Sequence, residues 1–362
     1  MEEPTRAPTQ QPADWLIRIP LVFAAWEMEI LRDLGAEPLK KLGREYHLVR
    51  LPDPAALRQA AAAKFVHWNL PMHHAWPCRP AEIPGFIEKA AQTLLRKFGG
   101  SSLQTILIGP LDPGTPQRQY RTLGSNLRGR TLQLFPPATS GIRDAGDQDG
   151  RKPTLFCLIG REGLFCGLAS PLQANGFHPG GTKFIRQSSP SAISRAGAKI
   201  AEALHYLQLH RPPPPPGSRW LELGASPGGM TAELLARGYQ VTAVDRAPLD
   251  ARLFSSPGLK SVLADAAAYQ PDAGERYNAL LSDMNGDAHG SIAHVLRLAP
   301  FLRPGGIVIF TLKLPGVSTF AEANSLESSI VAAAAAAGLQ RLARTHLTYN
   351  RNEFTLFFER PL

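Results

Sequence analysis

Leu221-Glu222-Leu223-Gly224-Ala225-Ser226-Pro227-Gly228-Gly229 reads as a hydrophobic strand that breaks into a glycine-rich turn and opens a helix. Glycine lets backbone N–H groups and a ligand approach each other with no Cβ between them. A helix start favours an anionic group on that ligand. From residue 219 onward, strands predicted at 220–224, 240–245, 261–264, 279–283, 306–312, 343–349 and 353–359 alternate with helices at 229–237, 291–298 and 321–337. This alternation predicts a doubly wound α/β sheet with ligands outside the carboxyl ends of its strands. The last two strands, separated by Asn350-Arg351-Asn352, are expected to form an antiparallel hairpin.

Several of these strand ends carry charge. Asp245 closes the second strand, about twenty residues after Gly224, the spacing of a carboxylate that accepts from ribose hydroxyls. G-x-G-x-x-G is absent, so a nicotinamide dinucleotide is the weaker reading. Asp265 follows the third strand, where its carboxylate suits an adenine amino group. Asp283 ends the fourth strand, Lys313 the fifth, and Glu353 starts the last, while Lys199 lies on a helix predicted at 191–209. Lys313 sits in the apolar run Phe310-Thr311-Leu312-Lys313-Leu314-Pro315. Burial and a second cation, Lys199, are expected to lower its pKa toward the range of a general base acting on a hydroxyl, with Asp283 pulling the other way so that the shift is moderate. Asp283 would hold the ammonium groups and Glu353 would orient them.

The chain has 362 residues, enough for about two domains. Before the sheet, a strand at 15–23, a helix at 24–34, a strand at 46–51 and a helix at 55–63 suggest a ferredoxin-like lobe. A helix at 80–98, strands at 105–109 and 131–135, a loop at 137–152 and a hairpin of 153–160 with 164–169 follow. Arg118, Arg121, Arg128, Arg130 and Arg143 face Asp112 alone in that stretch. Arginine forks suit phosphates, and Tyr120 is placed to stack on a base; a solvated basic face explains the same charges equally well. Residues 212–216 are five prolines, a stiff connector that stops the preceding helix.

Lys and Arg number 39 against 30 Asp and Glu, a net charge of +9 that suits a polyanionic partner. Cys78, Cys157 and Cys166 form no C-x-x-C, and His73-His74 has no further ligand beside it, so neither a metal nor a disulfide framework is expected. No apolar run reaches the roughly 18 residues of a membrane span. The first residues lack an apolar signal region and read as a disordered lead-in to a cytoplasmic protein.

Ser194-Arg195 through Lys199, the 224–229 loop, Ser282-Asp283-Met284, Leu312-Lys313-Leu314-Pro315 and the 349–355 stretch together resemble the FtsJ-like RNA ribose 2′-O-methyltransferases. Within that family they are most similar to the group that modifies a cytidine of 23S rRNA. Members usually have Trp after the loop glycines and that group often has Cys before Pro-Gly-Gly; here the residues are Met230 and Ser226. The resemblance implies a class I methyltransferase domain, Rossmann-like, with seven strands and an antiparallel last strand, at 189–362. After the lead-in, placed at 1–14, it also implies a ferredoxin-like lobe at 15–70 and a THUMP-like RNA-binding domain at 71–188. S-adenosylmethionine is the implied cofactor, at Gly224, Ser226, Pro227, Gly228, Gly229, Asp245, Asp265 and Asp283. Lys199, Asp283, Lys313 and Glu353 would form the Lys-Asp-Lys-Glu catalytic tetrad, with Lys313 as general base. RNA, 23S rRNA foremost, is the implied partner. The tetrad does not separate rRNA from tRNA or an mRNA cap as acceptor, and a catalytically silent RNA-binding protein of the same fold is the rival from another class.

Overall fold

The computed structural model describes residues 14–112, 118–142, 145–181 and 193–362. The chain divides into two compact units, Met1–Gly181 and Thr182–Leu362.

The first unit contains β1 (Asp14–Arg18), α1 (Glu27–Asp33), β2 (Glu37–Leu42), β3 (Tyr46–Arg50), α2 (Ala56–Gln59) and β4 (Trp68–Pro71). Their sheet has the order β2-β3-β1-β4 with every neighbouring pair antiparallel, the layout of a split β-α-β-β-α-β unit. The unit continues with β5 (His74–Pro77), α3 (Phe86–Phe98), β6 (Thr105–Pro110), α4 (Arg118–Leu134), β7 (Thr154–Gly160), β8 (Gly163–Ala169) and α5 (Pro171–Ala174). The second sheet runs β5-β8-β7-β6. β7 reads Thr-Leu-Phe-Cys-Leu-Ile-Gly and is buried throughout, as a near-continuous apolar run requires. On one side Leu155, Cys157 and Ile159 join Phe86, Leu94 and Leu127 of α3 and α4; on the other Phe156 and Leu158 meet Leu16, Tyr46 and Trp68.

The strand expected at 131–135 is helix. α4 spans Arg118–Leu134, and its Tyr120, Leu127 and Leu134 recur every seven residues on one face. Thr131 returns its hydroxyl to the Leu127 carbonyl at 2.7 Å, as a helical Thr does. β2, β4 and β5 are strands that the sequence reading lacked. The expected strand 15–23 stops at Arg18, because Pro20 leads into a 3₁₀ turn at Leu21–Trp26. Lead-in residues 1–13, Arg143, Ser191 and the 188/189 boundary lie outside the described residues.

The second unit holds α6 (Ala196–Leu207), β9 (Arg219–Leu223), α7 (Gly229–Ala236), β10 (Gln240–Asp245), β11 (Leu259–Leu263), β12 (Tyr277–Ser282), α8 (Ala288–Leu298), β13 (Leu302–Lys313), α9 (Phe320–Ala336), β14 (Gln340–Thr345) and β15 (Glu353–Glu359). The seven strands are ordered β11-β10-β9-β12-β13-β15-β14. β9 to β13 are parallel and β15 runs against both neighbours, the expected class I arrangement. The order reverses between β9 and β12, so a crevice opens beyond their carboxyl ends. Trp220, Leu221, Leu280, Leu281, Val308 and Phe358 are among the side chains almost wholly removed from water. Each contributes about 1.5–3 kcal/mol of burial, enough to hold the strand ends of the site in register. β14 ends at Thr345, so seven residues and not three connect the last two strands.

Candidate active site

Four elements deliver the four charged side chains to one point. Asp283 follows β12 directly, and its N–H bonds the Leu223 carbonyl of β9 at 3.3 Å. Lys313 is the last residue of β13 and faces Glu353, the first of β15, as a cross-strand pair. Reciprocal bonds continue that pairing: Leu314 N–H donates to the Asn352 carbonyl and Asn352 Nδ2 to the Leu314 carbonyl, both at 3.1 Å. Lys199 comes from α6, which is buried along most of its length.

The charges alternate. Lys199 Nζ lies 3.1 Å from Asp283 Oδ1 and 2.7 Å from Glu353 Oε1; Lys313 Nζ lies 3.0 Å from Asp283 Oδ1 and 3.2 Å from Glu353 Oε2. Two cations and two carboxylates cancel, which makes a largely buried cluster tolerable. The Lys199 side chain is 8% exposed and that of Lys313 is 22%, so Lys313 is the lysine that faces outward. Burial acts to raise the pKa of Asp283 and of Glu353, but the two ammonium groups, joined at Glu353 by the Asn350 amide, outweigh it and hold both below the usual carboxylate range.

Lys313 shifts opposite to the expectation. Burial lowers its pKa, but the carboxylates of Asp283 and Glu353 together overcome burial and leave it raised. Its two nearest charges are negative, and the same carboxylates neutralise Lys199. In this state Lys313 is an ammonium.

Beside this cluster is a cavity of about 350 Å³ at the switch in strand order. Gly224, Asp245 and Asp265 line it, as three of the sequence-derived positions. Ser226, Pro227, Gly228 and Gly229, expected to hold the cofactor, are not among its lining residues. Ser226 N–H donates to Asp245 Oδ2 at 2.9 Å and its hydroxyl to the Pro248 carbonyl at 2.9 Å. Gly228 caps α7 with φ +104°, and a Cβ there would fall 2.4 Å from Leu253 Cδ1. At Gly224, φ +78°, a Cβ would press on Asp283 and Met284 at about 3.0–3.1 Å. Both glycines keep the loop folded close against its neighbours. Asp283 turns its carboxylate to the lysines, and the next residue, Met284, lines the cavity.

Sequence reasoning missed the wall made by Met284, Asn285, Asp287, Ser291 and His294. The signal was Asp287, whose carboxylate caps α8 by accepting from His289 and Gly290 N–H at 3.3 and 2.6 Å. Starting the helix there places Ser291 and His294 on its cavity side. Glu222 was also missed. It lies on β9, 2% exposed, and accepts a 2.7 Å bond from Thr231 Oγ1. Burial pushes its carboxyl up to about 8, and the Asp283 and Asp245 charges add to the rise.

The FtsJ-like methyltransferase family profile matches residues 192–318, a span that includes Lys199, the glycine loop, Asp283 and Lys313; Glu353 lies beyond it. Ribosomal RNA large subunit methyltransferase M of Marinobacter nauticus is 32% identical over 267 residues, 68% of this chain and 69% of the relative. The chain belongs to that family of FtsJ-like methyltransferases. The protein of the same name from Tolumonas auensis is 32% identical over 200 residues, 51% of this chain and 52% of its own. This chain thus spans about half the length of the Tolumonas relative, and likewise of the one from Laribacter hongkongensis. Among solved structures, Aeropyrum pernix fibrillarin aligns at 15% identity and a TM-score of 0.36, over 59% of this chain and 84% of that one.

In the first unit the arginine stretch divides by role. Arg118 and Arg121 are exposed on α4. Arg128 turns inward, its Nε donating to the Ile106 carbonyl at 2.8 Å, and Arg130 pairs with Glu88 at 2.7 Å. Tyr120, expected to stack on a base, is 9% exposed and belongs to the core. Among the described residues no group of three or more His, Cys, Asp or Glu is arranged to hold a metal, and no helix is long and apolar enough to cross a membrane.

Proposed function

We propose that this chain methylates a ribose 2′-hydroxyl of RNA, at a cytidine of 23S rRNA, with S-adenosylmethionine as donor and in the cytoplasm. The observation that carries the reading is the alternating Lys199–Asp283–Lys313–Glu353 cluster, with Lys313 outermost, beside the cavity at the switch point. The cavity fits the cofactor. It offers carboxylates at two successive strand ends, Asp245 and Asp265, and a backbone cradle at Gly224 that a Cβ would disturb. Asp245 would take the ribose hydroxyls and Asp265 the adenine amino group. When bound, S-adenosylmethionine supplies a methyl group activated by a sulfonium.

The chain's own residues manage the acceptor. A 2′-hydroxyl attacks only as its proton leaves. Lys313 Nζ is the group that meets the hydroxyl and takes that proton in the fraction of molecules where it is neutral. Its raised pKa makes that fraction small at neutral pH. Lys199, Asp283 and Glu353 fix where Nζ points. Arg118 and Arg121 of the first unit would contact phosphates, which position RNA without reading its sequence.

The test is transfer of a labelled methyl from S-adenosylmethionine to unmodified 23S rRNA, followed by nucleoside analysis. The expected product is 2′-O-methylcytidine; a base-methylated nucleoside, or no transfer, overturns the reading. Asp245→Ala should weaken cofactor binding by about 1.5–3 kcal/mol, the scale of a hydrogen bond to a charged group. Unchanged affinity by calorimetry would remove Asp245 from the cofactor site.

A further inference from the structure

Asn350 lies in the connection between β14 and β15 and is 7% exposed. Its Nδ2 donates to Glu353 Oε1 at 2.9 Å, the oxygen that also takes Lys199 Nζ at 2.7 Å. Glu353 Oε2 is left to Lys313, at 3.2 Å. The other end of the amide is fixed as well. Asn350 Oδ1 accepts from Leu347 N–H at 2.6 Å and from Thr355 Oγ1 at 3.2 Å. Two donors on the oxygen decide which way the amide faces, so the nitrogen is the end turned to Glu353.

The terminal torsion of a glutamate is broad and orients its carboxylate only weakly. We infer that Asn350 is a positioning residue of the reaction, holding the Glu353 carboxylate so that one oxygen serves Lys199 and the other serves Lys313. The inference rests on the methyl-transfer reading above. Asn350 does not line the cofactor cavity, so its effect belongs to the base and not to cofactor affinity.

The experiment compares the full-length wild type with Asn350→Asp, Asn350→Ala and Thr355→Val. Melting temperature, S-adenosylmethionine affinity and the pH profile of single-turnover methyl transfer are measured for each. Asn350→Asp keeps the shape and the acceptor oxygen but sets a carboxylate oxygen against Glu353. The added negative charge favours the protonated form of Lys313. The rising limb of the profile should therefore move up by roughly one pH unit or more, with unchanged cofactor affinity. Asn350→Ala should lower the rate roughly tenfold, the effect of one lost hydrogen bond to a charged group. Thr355→Val should lower it less, since Leu347 still holds the amide. A folded Asn350→Asp with wild-type rate and limb overturns the inference. So does a set of variants whose melting temperatures fall while every limb stays in place. If Asn350→Asp does not fold, Thr355→Val decides, and wild-type behaviour there overturns it. An active wild type with an inactive Lys313→Ala and a normal Asn350→Asp sinks this inference alone. A wild type that transfers no methyl group sinks the reading and this inference together.

Discussion

Lys313 Nζ sits between Asp283 and Glu353 at 3.0 and 3.2 Å, and their charges decide its behaviour. With its pKa raised, the neutral fraction at any pH below it is small and grows about tenfold for each unit that pH rises. The single-turnover rate should therefore climb through neutrality and beyond; a flat profile above neutral pH would contradict base catalysis. Lys313→Ala should abolish transfer with cofactor binding intact. Lys313→Arg should be nearly as inactive, because a guanidinium stays protonated; a variant keeping most of the rate would leave the residue only an electrostatic part. Glu222 makes a separate prediction about stability. Its carboxyl titrates at about 8 when folded against an ordinary 4.5, so the native state binds more protons between those values. Its contribution is whole below the lower value and is lost as pH rises toward the upper one. Glu222→Gln should gain melting temperature relative to wild type from about pH 5 to about pH 8. A difference that does not change with pH would show that Glu222 is ionised throughout. That Lys199, Asp283, Lys313 and Glu353 converge was legible because each falls in or beside a strand or helix with a clear pattern. The sign of the Lys313 shift was not legible, since it depends on carboxylate distances that only the folded chain sets.

Among the elements, α4 shows where pattern reading failed. Its sequence, Arg-Gln-Tyr-Arg-Thr-Leu-Gly-Ser-Asn-Leu-Arg-Gly-Arg-Thr-Leu-Gln-Leu, carries two glycines and few apolar residues, so its last turn alone reads as a short strand. Packing on α3 and β6–β7 overrides that weak propensity. The helix then sorts the arginines. Replacing Arg118 and Arg121 with alanine should flatten the salt dependence of RNA binding by about one to two in slope, leaving cofactor affinity alone. Replacing Arg128 should instead cost stability, about 1–3 kcal/mol for its buried carbonyl partner. An unchanged salt slope in the Arg118/Arg121 variant would make α4 a solvated face. β2, with five of six residues exposed, offers little alternation to read, which is why it went unseen.

Across the whole molecule the two units differ in how much of them the sequence disclosed. In Thr182–Leu362, strands read as short apolar runs at regular spacing, and all seven appear in the sheet, two of them, β10 and β15, with the expected bounds. In Met1–Gly181, Trp68–Pro71 and His74–Pro77 are four-residue strands whose partners lie far along the chain, and no local period marks them. The cavity wall at Met284–His294 escaped for a related reason, because it depends on where α8 starts. In the proposed reaction the four-residue cluster serves methylation of one ribose of 23S rRNA, with Lys313 as the base. Mapping 2′-O-methyl positions in rRNA from cells with the gene, without it, and with Lys313→Ala tests it most directly. One cytidine should lose its ribose methyl in the deletion, regain it with the wild-type gene and stay unmodified with Lys313→Ala. An rRNA methylation pattern unchanged by the deletion, or fully restored by Lys313→Ala, would contradict the account.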